Sequence, residues 1–455
     1  MGLVCAVVFL ICVILTQCAG KVEALGLGVS ADMVRLVAAP AAKYALFYFS
    51  LSSTPARALT HTHKRFSHGN PPAPAQLPFA HSALLSICFM TLLGFADDVL
   101  DLPWRYKFIL PFFASLPLLV TYSGTTDIFL PRFVAQWLVA GEGGGEPTLL
   151  GRAAGWLVGL RPHGGAVLVE MGLWYYVYMG CMGVFATNAI NIYAGINGLE
   201  AGQAVVITLA VLTTNLMEIK EQGKEPHMTA HLFSALLGLP FLGVTLAVMA
   251  HNVFPARVFV GDTFCYFAGM TLAVQGIHGH FAKTLLIFFL PQAFNFAYSL
   301  PQIAKVYPCP RHRLPHFNAA TGLLEPSRFE VPPSKHLLAA DAAAGGGAGA
   351  APPTNSSPVR RRGASSKPSS GGAAPAPVAA TAGAAPRMMD NWTLINLVLR
   401  LTGPMHERTT TNVLLLLQTV PCVLGLALRL WHSRSVCAEP GDTWWSFLSS
   451  AYGNC

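Results

Sequence analysis

Long apolar runs alternate with shorter polar loops along most of this chain. The runs are candidate membrane-spanning helices, although several are shorter than the ~20 residues that cross a bilayer. They cover residues 2–18, 82–96, 108–122, 168–187, 201–217, 230–250, 262–278, 282–303 and 411–430. The pattern predicts an all-α polytopic membrane protein with about nine transmembrane helices.

These spans divide the chain into four parts. We expect a membrane domain with spans one to eight over residues 1–303, a loop region over 304–410, the last transmembrane helix over 411–430 and a C-terminal tail over 431–455. Inside the loop region, residues 339–387 are rich in Ala, Gly, Pro and Ser, a composition that cannot bury a core and predicts disorder. The rest of the loop region is expected to be small and mixed α/β.

Composition supports a membrane protein and argues against two other classes. Hydrophobic residues make up 53% of the chain and charged residues only 11%, whereas soluble domains average about 25% charged residues. The net charge of +8 suits a surface that meets anionic headgroups or phosphorylated ligands. No basic segment with interleaved aromatic residues indicates nucleic-acid binding, and no C-x-x-C pair indicates a zinc site.

The polar loops after spans two, four, six and eight alternate along the chain, so they lie on one side of the membrane. The loop after span eight also carries R-R-R at 360–362, which makes this side the cytosol by the positive-inside rule. The basic loop at 53–80 lies on the other side and argues against this orientation, but long loops count less.

Two adjacent carboxylates, Asp97 and Asp98, end the second span. Neighbouring carboxylates repel each other unless a cation or hydrogen-bond donors compensate. They could hold Mg²⁺ or position a phosphorylated nucleophile, and the alternative is a solvated helix end. Trp104 and Lys107 follow closely, and both residue types are also ordinary membrane anchors.

An asparagine-rich segment, Ala186–Glu200, follows the fourth span. Asn188 and Asn191 are three residues apart, so a helix presents both on one face. Gly195 and Gly198 suit a turn with close backbone approach. Amides are costly in lipid without partners, which predicts contacts with protein, water, an ion or a substrate. A hydrogen-bond cluster between helices is the alternative.

Two further polar motifs fall on the same side. Asp262 lies in a glycine-flanked turn and is a candidate ligand for a hard cation, and Phe259 could stack on a base, although packing is its commoner role. Pro308–Pro315 holds two arginines and a histidine, which suit phosphate and sugar oxygens but also serve as positive-inside charge. Together the motifs indicate Mg²⁺-assisted transfer of a phosphorylated group at a membrane surface. The sequence lacks a Walker A loop, which disfavours ATP-driven transport.

Most of residues 82–430 resembles one family. The matching stretches are 93–107, 187–203, 255–270, 280–302, 309–315 and 393–408, which include G-F-A-D-D-V-L-D, N-A-I-N-I-Y-A-G-I-N-G-L-E and C-P-R-H-R-L-P. The chain resembles the eukaryotic UDP-N-acetylglucosamine–dolichyl-phosphate N-acetylglucosamine-1-phosphate transferases, a branch of the polyprenyl-phosphate sugar-1-phosphate transferase superfamily. That family has ten spans and works in the endoplasmic reticulum membrane with its active site facing the cytosol.

The resemblance implies a role for each matching residue. Asn191 and Asp262 would hold Mg²⁺ on the UDP diphosphate, while Asp97, Asp98 and Lys107 would position or activate dolichyl phosphate. The implied substrate-binding residues are Gly195 and Asn197 for uridine, Phe259 for uracil, Arg311 for diphosphate, and Trp104, Ile192, His312 and Arg313 for the N-acetylglucosamine pocket. The implied reaction is direct attack of the lipid phosphate on the β-phosphorus with release of UMP, the first step of lipid-linked oligosaccharide synthesis for N-glycosylation. A homodimer is one allowed oligomeric state.

Two departures from the family keep alternatives open. The segment Met1-Gly2-Leu3-Val4 matches the tail of an early family motif, P-E-S-x-G, so the family's first span and loop are expected to be missing. Residues 20–80 and 339–387 are insertions without a recognised counterpart. The alternatives are therefore an inactive, truncated paralogue, a non-enzymatic membrane protein, or a related transferase for another UDP-sugar.

Overall fold

A computed structural model describes the chain, and helices dominate the part that it describes. The described residues are 2–11, 13, 76–122, 124–130, 137–139, 148–156, 158–163, 166–222, 227–310, 313–331 and 387–436. The predicted polytopic, mainly helical membrane protein is confirmed.

Thirteen helices and seven short strands make up the described residues. The helices are α1 (Gly2–Ile11), α2 (Gln76–Leu100), α3 (Trp104–Ala114), α4 (Leu116–Val120), α5 (Leu149–Gly155), α6 (Leu173–Ile192), α7 (Leu199–Gln222), α8 (His227–Asn252), α9 (Gly261–His278), α10 (Ala282–Phe288), α11 (Leu290–Ile303), α12 (Leu394–Thr402) and α13 (Glu407–Val436). The strands are β1 (Asp127–Leu130), β2 (Gly159–His163), β3 (Ala166–Glu170), β4 (His316–Asn318), β5 (Leu323–Glu325), β6 (Arg328–Val331) and β7 (Arg387–Asp390).

Within the described residues, four helices are long and apolar enough to cross a membrane. They are Phe79–Leu100, Leu199–Lys220, Thr229–Asn252 and Glu407–Leu430. Each contains one of the predicted spans. The count of nine spans stays a prediction, and the span predicted at 2–18 lies partly outside the described residues, with its first part forming α1.

Two predicted spans are each divided into two helices. The span at 108–122 is divided at Ser115 between α3 and α4, and the span at 282–303 is divided at Phe289 between α10 and α11. Pro117 and Pro291 stand early in the second helix of each pair. Proline has no N–H and its ring crowds the preceding turn, so the helix restarts there. Hydropathy alone does not register such a break.

The span predicted at 168–187 begins too early. Ala166–Glu170 is strand β3, which pairs antiparallel with β1 on one side and β2 on the other, and the helix begins only at Leu173. A short apolar run is compatible with a strand or with a helix. The prediction therefore missed this three-stranded sheet.

The loop region before the last helix is a small mixed α/β unit, as predicted. Two antiparallel strand pairs, β4–β5 and β6–β7, lie in the same region as α12, and Leu324 bridges to Met405 just before α13. Val331, the last residue of β6, lies opposite Arg387, the first residue of β7. The insert predicted to be disordered therefore lies outside the described residues except for Arg387.

Helix α9 forms the centre of the bundle. Every residue of α9 from Thr263 onward is buried, and α2, α6 and α8 pack around it. Glycines allow this close packing: a Cβ on Gly269 would lie 2.4 Å from Thr187 Cα in α6, and a Cβ on Gly94 would lie 2.7 Å from Thr263 Cα. Small residues at helix crossings are typical of membrane proteins because they let the backbones approach.

A buried ion pair joins α7 to α13. Arg429 Nε lies 2.6 Å from Glu218 Oε1, and Arg429 Nη1 donates to the Thr284 hydroxyl at 3.0 Å, which adds α10 to the contact. Burying both charges is tolerable only because they are paired and hydrogen-bonded.

We expect Gly269→Ala to reduce the free energy of unfolding by about 1–3 kcal/mol, because the added methyl group meets backbone and not a flexible side chain. Thermal or denaturant unfolding in detergent micelles measures this loss. Gly155→Ala is the matched control, since its Cβ would meet only Leu160 Cδ1 at 3.9 Å. An equal loss in both variants would contradict the packing argument.

Removing one member of the buried ion pair should cost more than removing both. We expect Arg429→Met to lower the unfolding free energy by about 3–5 kcal/mol, because it leaves the Glu218 carboxylate buried without its cation. Adding Glu218→Gln should recover part of that loss. The same unfolding measurement tests this recovery. A double variant that is less stable than Arg429→Met alone would contradict the predicted pairing of the two charges.

Candidate functional site

Asp97 is a buried carboxylate near the end of α2. Lys107 Nζ lies 2.8 Å from Asp97 Oδ2, and the Tyr266 hydroxyl donates to the same oxygen at 3.1 Å. The other oxygen accepts the Leu102 backbone N–H at 3.0 Å. Since α3 begins two residues later, Asp97 fixes the turn that brings Lys107 back against α2.

Lys107 also approaches a second carboxylate. Its Nζ lies 3.5 Å from Asp262 Oδ2 at the start of α9. Burial lowers the pKa of Lys107, but the hydrogen bond and charge of Asp97 and the charge of Asp262 outweigh it, so the pKa is raised. Lys107 is therefore a half-buried, protonated cation between two carboxylates.

Asp98 caps the N-terminus of α9. Its Oδ1 accepts the Asp262 backbone N–H at 2.8 Å, and its Oδ2 accepts the Thr263 N–H at 3.0 Å and the Thr263 hydroxyl. Gly261 precedes this turn with φ of +80°, and a Cβ there would lie 2.9 Å from Asp98 Oδ2. The catalytic role stays a prediction, because the contacts of Asp98 are those of an N-cap supplied by another helix.

The asparagines of α6 lie next to this cluster. Asn188 Nδ2 donates to the Lys107 carbonyl at 3.0 Å and to the Val184 carbonyl at 2.9 Å. Lys107 thus links the end of α6 with the start of α9, so the two helices run antiparallel.

Asn191 and Asp262 lie at the same end of these two helices. From the contact between Thr187 and Gly269, Asn191 is four residues along α6 and Asp262 seven residues along α9. At 1.5 Å per residue they lie about 6 Å and about 10 Å toward that end. The Asn191 side chain is half-buried and has no hydrogen-bond partner among the described residues.

Side chains from other helices hold the loop between α6 and α7. The Gly195 N–H donates to Glu200 Oε1 at 2.8 Å, the Asn197 N–H to Glu407 Oε1 at 2.8 Å, and the Gly198 N–H to Asn252 Oδ1 at 2.9 Å. Gly195 and Gly198 have φ of +119° and +84°, conformations that favour glycine. With its backbone fixed in this way, Asn197 presents a half-buried side chain.

The arginine-histidine motif reaches the same loop through Leu314. A Cβ on Gly195 would lie 2.1 Å from Leu314 Cδ2, so the Leu314 side chain covers this glycine. Arg313 Nη2 donates to the Trp392 carbonyl at 2.9 Å, and burial lowers the pKa of Arg313. Arg311 and His312 lie outside the described residues.

The remaining predicted residues differ in what surrounds them. Phe259 is 83% exposed, so its ring is accessible to a ligand. The Ile192 carbonyl accepts from Asn295 Nδ2 at 3.2 Å. Trp104 begins α3, but its side chain lies outside the described part of the chain.

Several residues of the site were not predicted. Tyr266 and Thr263 bind the carboxylates of Asp97 and Asp98, while Asn252 and Glu407 bind the backbone of the loop after α6. Glu407 lies in the H-E-R motif at the start of the last helix, where charge is ordinarily explained as membrane-flanking. Asn252 ends an apolar helix, and a polar residue at that position is the one signal that could have shown it.

The cluster offers few free ligands for a metal ion. Among the described residues, no group of three or more His, Cys, Asp or Glu side chains could hold one. Asp97 and Asp98 already use their oxygens within the protein, which leaves Asp262 and the amide oxygen of Asn191. Mg²⁺ commonly takes one or two carboxylates and completes its shell with phosphates and water. This pair therefore fits Mg²⁺ bound together with a phosphorylated ligand.

The fold and this cluster define a polytopic membrane protein with a charged site at the ends of its helices. The family model for glycosyl transferase family 4 matches residues 80–280, the range that contains most of the cluster.

Curated relatives place the chain more narrowly. It is 38% identical to the UDP-N-acetylglucosamine–dolichyl-phosphate N-acetylglucosaminephosphotransferase of Dictyostelium discoideum, over 79% of this chain and 71% of that protein. The protein of that name from Saccharomyces cerevisiae is 47% identical over 54% of this chain and 50% of its own length. A phospho-N-acetylmuramoyl-pentapeptide-transferase from Synechococcus is 29% identical over 48% of this chain and 51% of its own length. The chain therefore belongs to the family of UDP-N-acetylglucosamine–dolichyl-phosphate N-acetylglucosaminephosphotransferases.

The capping role of Asp98 gives a prediction that is separate from catalysis. We expect Asp98→Ala to lower the unfolding free energy by about 1–2 kcal/mol through loss of the cap. Thermal unfolding without any substrate measures this effect. Asp127→Ala, which removes an exposed carboxylate from β1, should change stability little. If Asp98→Ala is as stable as the wild-type protein, the capping role is wrong and only the predicted catalytic role of Asp98 stays.

Proposed function

We propose that this chain transfers N-acetylglucosamine-1-phosphate from UDP-N-acetylglucosamine to dolichyl phosphate, giving N-acetylglucosaminyl-diphosphodolichol and UMP. The relatives named above support the substrates. One structural observation carries the proposal for this chain: the protonated amine of Lys107 lies between Asp97 and Asp262, and the Lys107 carbonyl accepts from Asn188 of the asparagine-rich segment. A fixed cation next to a candidate metal pair suits the transfer of a phosphoryl group between two anionic substrates.

Asn191 and Asp262 would hold Mg²⁺ on the diphosphate. When bound, this ion neutralises phosphate charge and aligns the groups that react. The chain's own contribution is to keep both ligands at the same end of α6 and α9. Asp98 fixes the backbone N–H of Asp262, and Asn188 fixes the helix that carries Asn191.

The acceptor needs little base catalysis. A phosphate monoester has a second pKa of about 6, so it is already ionised near neutral pH. A lipid phosphate oxygen forms a bond to the β-phosphorus, the bond from that phosphorus to the bridging oxygen breaks, and UMP carries the electron pair away. Lys107 lowers the repulsion between the two anions, and Asp97 holds the lysine amine at its position.

The loop after α6 would recognise the nucleotide. Gly195 and Asn197 would contact uridine, and the exposed ring of Phe259 would stack on uracil. Arg311 would meet the diphosphate. The residues assigned to the N-acetylglucosamine pocket are Trp104, Ile192, His312 and Arg313.

The same proposal fixes where the enzyme works. Dolichyl phosphate is a membrane lipid and the donor is water-soluble, so the site must lie at a bilayer surface. We assign the chain to the endoplasmic reticulum membrane, with the charged cluster facing the cytosol by the positive-inside argument.

Release of UMP from UDP-N-acetylglucosamine, dolichyl phosphate and Mg²⁺ tests the reaction. In this assay we expect Asp262→Asn to lose on the order of 100-fold in turnover, because the Mg²⁺ that would neutralise charge in the transition state loses its carboxylate ligand. The variant should also need more Mg²⁺ for half-maximal rate. Asp127→Asn is the matched control for an exposed carboxylate. Activity that survives in Asp262→Ala with full Mg²⁺ dependence would overturn the metal assignment. If no lipid acceptor gives UMP, the proposed transferase activity is wrong. If UMP is released only with another UDP-sugar, the proposed donor is wrong.

A further inference from the structure

Three buried glutamines meet inside the bundle. They are Gln203 in α7, Gln292 in α11 and Gln418 in α13, and each is at most 1% exposed. An amide in such surroundings is costly unless its groups are paired. Three of them in contact therefore call for a structural or functional reason.

Gln292 joins the other two by donating twice. Its Nε2 lies 2.7 Å from Gln203 Oε1 and 2.7 Å from Gln418 Oε1, so both of its N–H groups have an acceptor. Three helices that are far apart in the chain are thereby linked through one side-chain nitrogen.

One end of this network reaches the break between α10 and α11. Gln418 Nε2 donates to the Phe288 carbonyl at 2.7 Å. Carbonyls at the end of a helix have no partner in their own helix. Gln418 therefore satisfies a group that the break leaves open, and it is held in a fixed position by doing so.

The other end of the network reaches the backbone beside the candidate site. Gln203 Nε2 donates to the Tyr193 carbonyl at 2.8 Å and to the Ile190 carbonyl at 3.3 Å. These two carbonyls flank Asn191 at the end of helix α6. The orientation of Gln203 depends on its own oxygen, which is held by Gln292.

We propose that Gln292 is a positioning residue for the transfer reaction, which acts through Gln203 on the backbone at 190–193 and so on Asn191 and Asn197. The expected change in KM rests on the proposed function, whereas the expected change in amide hydrogen exchange does not. Gln292 touches neither substrate. Its contribution is to fix the carbonyls from inside the membrane, while Glu200, Glu407 and Asn252 hold the loop from the other side.

Gln292→Met tests the idea at nearly constant side-chain volume. The variant removes both donors and leaves the oxygens of Gln203 and Gln418 unpaired. We expect amide hydrogen exchange of residues 193–198 to become about tenfold faster. We also expect the KM for UDP-N-acetylglucosamine to rise about tenfold, the lower end for residues that orient metal ligands. The KM for dolichyl phosphate should stay within twofold.

Gln275→Met is the matched control. Gln275 is also fully buried, in α9, but its side-chain atoms have no hydrogen-bond partner in the described part of the chain. This substitution should leave the exchange of residues 193–198 and both KM values unchanged.

A double variant tests whether the effect passes through Gln203. In a Gln203→Met background, adding Gln292→Met should change the KM for UDP-N-acetylglucosamine by less than twofold, because the route is already lost. Multiplicative effects would overturn the route. A lower melting temperature of Gln292→Met with unchanged exchange and unchanged KM would overturn the positioning role. If the wild-type protein releases no UMP, the transferase fails, while the exchange experiment still decides the network.

Discussion

The hydrogen bonds that Asp98 accepts from the first turn of α9 set the geometry on which the charged cluster depends. They join α2 to the central helix at the end where the carboxylates and Lys107 collect. Gly94 continues the same close contact, since the backbone of Thr263 leaves no room for a side chain there. Because both helices are fixed at this point, Asp97 and Asp262 are brought within reach of one lysine amine.

The bilayer imposes a second constraint, since polar groups inside the bundle are costly unless they find partners within the protein. The Glu218–Arg429 pair meets this demand at one end of the bundle and the three glutamines meet it nearer the charged cluster. Both groups also link helices that are distant in the chain. Polar pairing thus specifies which helices pack together, whereas uniform apolar contacts with lipid and neighbouring helices do not.

Much of the architecture could be predicted from hydropathy, because long apolar helices such as α8 and α13 have an unambiguous signal. Breaks at Pro117 and Pro291 and the strand β3 were missed, since mean hydropathy does not distinguish a short helix from a strand or register a break. The candidate site divides in the same way. Asp97, Asn191 and Asp262 have unusual chemistry in an apolar setting and could be selected from the sequence. Tyr266, which binds Asp97, could not, because it is an ordinary residue whose importance depends on which helix it faces. Asn252, which binds the Gly198 N–H, had only one signal, a polar residue at the end of an apolar helix.

The pairing of β6 with β7 bears on how many residues the segment between these two strands can contain. Val331 and Arg387 are direct partners across the pair, so the two ends of the segment between them lie side by side. The entropic cost of closing such a loop grows only with the logarithm of its length. Residues can therefore be gained or lost there without moving Leu314 from Gly195 or Met405 from Leu324. The pairing of β6 with β7 therefore makes the geometry of the membrane domain independent of the length of the insert.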